Sequence, residues 1–97
     1  MATFRLTVLA EEDFDAIGAY SVQVWGIDQA VRYLTSLDQT FTALAQGPGL
    51  GKDRSDLQPN LLSCPCNSHV IFFRRDKNNN VEILRILHER MDFQLHL

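Results

Sequence analysis

A single glycine separates two helical hydrophobic periods, and that spacing leaves the first half of the chain few ways to fold. Before Gly26, Phe14, Ile17, Ser21 and Val24 recur at steps of three and four, with Tyr20 and Trp25 flanking the stripe. After it, Ile27, Ala30, Leu34, Leu37, Phe41 and Leu44 continue the pattern, while Asp28, Gln29, Arg32, Ser36, Asp38 and Gln39 fall elsewhere. Each half reads as a helix with one face on a core. Two such helices with only one or two residues between them form a tight αα-hairpin, and their apolar faces need a second layer to cover them.

That second layer is legible on both sides of the hairpin. Thr3 to Leu9 alternates, with Phe4, Leu6 and Val8 on one side, and reads as a half-buried strand. Glu11, Glu12, Asp13 and Asp15 follow, where negative charge suits the positive end of a helix dipole. Their near-consecutive positions point them in different directions, which argues against a catalytic carboxylate pair. Gln46-Gly-Pro-Gly-Leu-Gly stops the second helix, because glycine accepts left-handed angles and proline cannot continue the ladder. Past Pro59, the runs Leu61 to Cys64, His69 to Arg75 and Val81 to Leu87 read as strands, the last two joined by an Asp76-Lys-Asn-Asn-Asn turn.

The expected order is therefore β-α-α-β-β-β: an α+β fold in which an antiparallel sheet packs against an N-terminal αα-hairpin. The 97 residues suit one domain, 1–97. Its interior is expected to hold Phe4, Leu6, Val8, Phe14, Ile17, Leu34, Leu37, Phe41 and Leu44, with Trp25 plugging one end. The last strand is expected to run into a charged tail opened by His88.

Charge narrows the function classes. The formal net charge is −3, and a dedicated nucleic-acid binder is normally basic, since neutralised phosphates supply most of its affinity. No direct nucleic-acid binding is expected of the chain alone. The start, Met1-Ala-Thr-Phe-Arg-Leu, lacks the basic and long apolar stretches of a signal peptide, and no apolar run suits a membrane span. A cytoplasmic location follows as the expectation. The two cysteines, Cys64 and Cys66, are one residue apart, which would strain a disulfide and suits free thiols in a reducing compartment.

Phosphate-loop, nucleophile-elbow, zinc-protease and dinucleotide-binding signatures are absent. Cys64, Cys66 and His69 could supply three soft ligands, but no fourth ligand stands at finger spacing, so no metal or other cofactor is expected. Arg74, Arg75, Arg85, His88 and Arg90 gather basic groups near the chain's end. A ribonuclease could use a histidine base or acid with arginines for the transition-state charge. Arg85 and His88, three apart, would point to opposite faces of a continuing strand.

Taken in order, the residues resemble the ParE branch of the RelE/ParE superfamily of bacterial type II toxins. The resemblance runs through Ala10-x-x-Asp13-Phe14-x-x-Ile17-x-x-Tyr20, Trp25-Gly26 and Ala30-x-x-Tyr33-Leu34. It continues through Leu44-Ala45-x-x-Pro48-x-Leu50-Gly51-Lys52-x-Arg54-x-Asp56-Leu57-x-Pro59 and His69-Val70-Ile71-Phe72-Phe73-Arg74. The closing block, Val81-Glu-Ile-Leu-Arg-Ile-Leu-His88-Glu-Arg-Met-Asp92, is the most family-like segment.

The resemblance implies the same β-α-α-β-β-β fold and a small toxin neutralised by a cognate antitoxin. It also implies growth inhibition by poisoning DNA gyrase without enzymatic chemistry, with Arg74, Arg85, His88, Arg90, Met91 and Asp92 as target contacts. The RelE-like branch implies the alternative, a ribosome-dependent messenger endoribonuclease, with His88 and Arg85 catalytic. Departures from the family pattern bear on the choice: Leu62 stands where the family often has Arg and Cys64 where an aromatic is usual, and no Tyr lies near the end, since Tyr20 and Tyr33 fall in the helices. The missing Arg and Tyr favour the first.

Overall fold

In a computed structural model, residues 2–97 are described. The elements run β1 (Phe4–Leu6), α1 (Val8–Trp25), α2 (Ile27–Gln46), β2 (Lys52–Asp53), β3 (Leu62–Cys66), β4 (His69–Arg75), β5 (Val81–His88) and α3 (Phe93–His96). The five strands form one sheet in the order β1-β5-β4-β3-β2, with the two long helices on one face. The sheet is antiparallel except at its edge, where β1 runs parallel to β5 with Phe4 opposite Val81.

Gly26 makes the hairpin possible. It adopts φ 86°, a left-handed angle that side-chain-bearing residues resist. Its N–H closes α1 on the Val22 carbonyl at 2.9 Å, and its own carbonyl opens α2 by accepting from Ala30 at 3.1 Å. One residue thus ends one helix and starts the next.

Thr7 does similar work at the start. The alternation predicts a strand to Leu9, but β1 ends at Leu6, because the Thr7 hydroxyl caps α1 by accepting from the Ala10 N–H at 3.1 Å. The same hydroxyl donates to the Leu84 carbonyl at 2.9 Å, tying the cap to β5. Val8 therefore lies on a helix, 71% exposed, instead of in the core. Trp25, expected as a plug, is 53% exposed at the end of α1.

The inner core joins Ile17, Leu37, Phe41 and Leu44 of the helices to Ile71, Phe73, Val81, Ile83 and Ile86 of the sheet. A second, smaller core covers the outer face: Leu61, Phe72 and Leu87, with Leu57, Val70, Leu84, Phe93 and Leu97 packed against them. Burial of both faces explains the unbroken Val70-Ile71-Phe72-Phe73 run. The expected charged tail is in fact partly apolar, and it folds back. Phe93 meets Phe72 edge-on at 4.9 Å between ring centroids, and the Arg54 guanidinium lies 5.7 Å from the Phe93 ring.

A bulge interrupts the β4–β5 pairing. Phe73 opposes Ile83 but Phe72 opposes Arg85, so Leu84 is an extra residue on β5. Val81 and Ile83 face the helices, and beyond the bulge that role passes to Ile86. The turn into β5 follows the expected chemistry, with Asn79 at φ 62° and the Asp76 carboxylate accepting from the Asn78 and Asn80 N–H groups at 2.7 and 3.0 Å.

Candidate functional site

The one-residue shift at the bulge sets His69, the first residue of β4, directly opposite His88, the last of β5. Their rings meet edge-to-face with centroids 5.3 Å apart. Tyr33 of α2 extends the cluster, its hydroxyl 2.6 Å from Nδ1 of His69 and accepting from the Ser68 N–H at 3.2 Å. Trp25 stacks obliquely near Tyr33 at 6.3 Å, and Tyr20 meets Trp25 edge-on at 6.1 Å. A ladder of five rings thus runs from the helix turn to the sheet.

These rings bound a cleft of about 450 Å³, which Ala16, Ile17, Ser21, Ser68 and Met91 also line. That is within the size range of ligand pockets, ~300–1,000 Å³. Ser21 is 1% exposed, and its hydroxyl has no hydrogen-bond partner among the described residues. Leaving such a group unpaired costs about 1–3 kcal/mol. Burial, together with the neighbouring His88, pushes the His69 pKa below its usual value. Burial also pushes the Tyr33 hydroxyl upward, so it stays a neutral donor at physiological pH.

Of the residues singled out in the sequence, His88 and Met91 line this cleft. The main-chain N–H of Arg90 donates to Nδ1 of His88 at 3.2 Å, and the Arg90 side chain is exposed. Asp92 caps α3 by accepting from the Gln94 N–H at 3.2 Å. Arg74 and Arg85 lie elsewhere, lining a shallower depression of about 200 Å³ with Gln58, Leu84, His96 and Leu97. Arg74 donates to the Gln58 side chain at 2.8 Å.

Arg85 is held by Asp13. Its Nε and Nη2 donate to the two carboxylate oxygens at 2.7 and 2.9 Å, and its Nη1 donates to the His96 carbonyl at 2.7 Å. Asp13 sits in the second turn of α1, beyond the helix-start cluster in which the charge pattern places it. Arg85 and His88 do not meet, as their three-residue spacing predicts. Cys66 is buried against α2, 3.4 Å from the Thr40 hydroxyl, and burial raises the Cys64 thiol pKa. Among the described residues, no three His, Cys, Asp or Glu side chains converge on a point that could hold a metal.

The family model of the ParE toxin of type II toxin-antitoxin systems matches residues 4–93. The chain belongs to the ParE toxin family. A ParE1 toxin of Caulobacter vibrioides is 38% identical over 97 residues, spanning 100% of this chain and 99% of its own length. A ParE toxin of Escherichia coli is 37% identical over 97 residues, covering 100% of this chain and 94% of its own. A structure described as a chromosomal ParDE system of P. aeruginosa matches the fold with TM-score 0.75 and 24% identity, over 91% of this chain and 95% of that one. The RelBE2 toxin-antitoxin complex of Mycobacterium tuberculosis matches with TM-score 0.69 and 21% identity, over 91% and 98%.

The resemblance drawn from the residues is thus a true family relationship, and the α+β fold is that of the ParDE and RelBE structures. The ring cluster itself escaped the sequence reading. The signal was two histidines at the outer ends of strands joined by a hairpin, but plain counting back from the Arg75–Val81 pair would set His69 opposite Leu87.

Proposed function

We propose that this ParE-family toxin arrests growth by poisoning DNA gyrase through protein contacts, and that a cognate antitoxin neutralises it. The observation that carries the reading is the separation of the two candidate catalytic side chains. Arg85 spends its guanidinium on Asp13 and the His96 carbonyl, while His88 lines the cleft on the helix side. A phosphoryl-transfer site needs base and cation converging on one reacting group.

A poison needs only to bind one state of its target better than another. The exposed side chains of Arg90 and Met91, beside His88, form the contact patch in this reading. Arg85 and Asp92 hold that segment in place, and Arg74 contributes from the outer face. The antitoxin lies across the helix hairpin, where Tyr20, Val24, Trp25, Ile27 and Val31 are each at least half exposed.

The deciding experiment adds purified toxin to gyrase and plasmid. The expected result is inhibited supercoiling with accumulating cleaved DNA, reversed by the antitoxin encoded beside the toxin. Unaffected gyrase together with messenger cleavage on ribosomes would overturn the reading in favour of the endoribonuclease.

A further inference from the structure

The hydrogen bonds in the ring cluster leave three donors without acceptors. The Tyr33 oxygen accepts the Ser68 N–H, so its own proton is directed to Nδ1 of His69. Nδ1 of His88 accepts the Arg90 N–H. A neutral imidazole whose Nδ1 accepts carries its proton on Nε2. Neither Nε2–H has a hydrogen-bond partner among the described residues, and neither has the buried Ser21 hydroxyl. Of the three only the Ser21 hydroxyl is fully buried, the two histidines being half-buried; a buried donor calls for an acceptor, and an ionised one is held most strongly.

We propose that the cleft receives a carboxylate side chain of the neutralising antitoxin, set beside an apolar side chain that packs on Tyr20 and Trp25. This rests on the antitoxin partnership argued above. A polypeptide fits better than a free acid because the cleft does not end at the rings. It shares Trp25 and Tyr33 with a second groove of about 410 Å³ that runs to Arg32, Ser36 and Asn67. The exposed Val24, Ile27 and Val31 continue the surface over the hairpin. Arg32 lines that second groove and forms no ion pair with any described residue, so it offers a free cation to an acidic segment, while Glu89 is the carboxylate that lies near Tyr33 and His69 at the other end. Asp13, the nearby carboxylate on α1, is already taken by Arg85.

The test follows histidine side-chain nitrogens by NMR while 3-phenylpropionate, or its uncharged amide, is titrated into the toxin. The acid should bind at about millimolar strength and shift both Nε2 signals, with the amide at least about tenfold weaker. Ser21→Ala should weaken the acid about tenfold and leave the amide unchanged, which separates recognition from a folding defect. Adding the antitoxin should displace the acid.

Equal binding of acid and amide, or no histidine shift, would overturn the pocket. Simultaneous binding of acid and antitoxin would overturn the occupant. If the antitoxin does not bind the toxin at all, the partnership fails and the occupant with it, while the acid titration reports separately on the pocket.

Discussion

The Asp13 carboxylate takes both arms of the Arg85 guanidinium and, at 2.9 Å, the main-chain N–H of Ile86. β1 pairs with β5 only as far as Ile83, so a helix side chain supplies the acceptor that the edge strand no longer can. The pair is mostly buried, at 18% and 16% side-chain exposure. Asp13→Ala strands a cation and an amide at once. Breaking a fully buried pair costs about 3–5 kcal/mol; some solvent contact remains here, so about 2–3 kcal/mol is expected. Urea unfolding of Asp13→Ala and Arg85→Lys checks this, and Arg85→Lys should lose part of the stability because an ammonium lacks the fork.

Arg75 acts as a clasp on the C-terminal end of α2. It donates to the carbonyls of Leu44, Gly47 and Leu50 at 2.7, 2.9 and 2.9 Å, satisfying groups that the helix end leaves open. Arg75→Ala is expected to cost about 2–3 kcal/mol, since charged hydrogen bonds are the strong ones. Thermal unfolding measures it, and proteolysis should localise the loosening to the loop after α2.

Gly51 has φ 112°, and an added Cβ would stand 2.6 Å from Cζ of Phe73. Gly51→Ala therefore combines backbone strain with a collision against a fully buried ring, for a loss of about 1–3 kcal/mol. A fall in the denaturation midpoint at unchanged slope would show it.

His88→Ala separates contact from catalysis. A general acid or base lost from an endoribonuclease would cost about 10²- to 10⁴-fold in rate. A contact residue costs about 1–2 kcal/mol of target affinity. The expected outcome is a modest rightward shift of the toxin concentration that inhibits supercoiling, with no messenger cleavage by either protein.

His69 should make stability depend on pH. Its folded pKa lies below the usual 6.5, so the unfolded chain takes up the proton first as pH falls. The stabilising contribution is complete above the unfolded value and is lost as pH drops through the folded one. Thermal midpoints at about pH 7.5 and about pH 5 should differ more for the native chain than for His69→Gln. An equal drop in both would place the acid sensitivity elsewhere.

Most of the architecture was legible because it rests on local chemistry. The two helical periods, the Gly26 break, the Asn-rich turn and the three late strands all state their conformation within a few residues. The boundary at Thr7 is not legible locally, since the same residue can belong to an alternating strand or cap a helix, and its bonds to Ala10 and Leu84 decide. Val24 and Ile27 belong to the helical stripes and Trp25 was the expected plug, yet each is at least half exposed. Their exposure follows from how α1 and α2 are rotated over the sheet, which no local pattern records.

The sequence by itself determined the order of six elements, β-α-α-β-β-β, the α+β class and the family, through residue spacings that survive without contacts, but not the short β2 and α3. It also separated Arg85 from His88, because strand alternation is a local property. The tertiary structure decided what those residues do. One extra residue at Leu84 moves the pairing from Leu87 to His88 and builds the ring cluster, and Asp13 reaches across 72 positions to claim Arg85. Both are long-range events, set by packing between segments that no local sequence pattern connects.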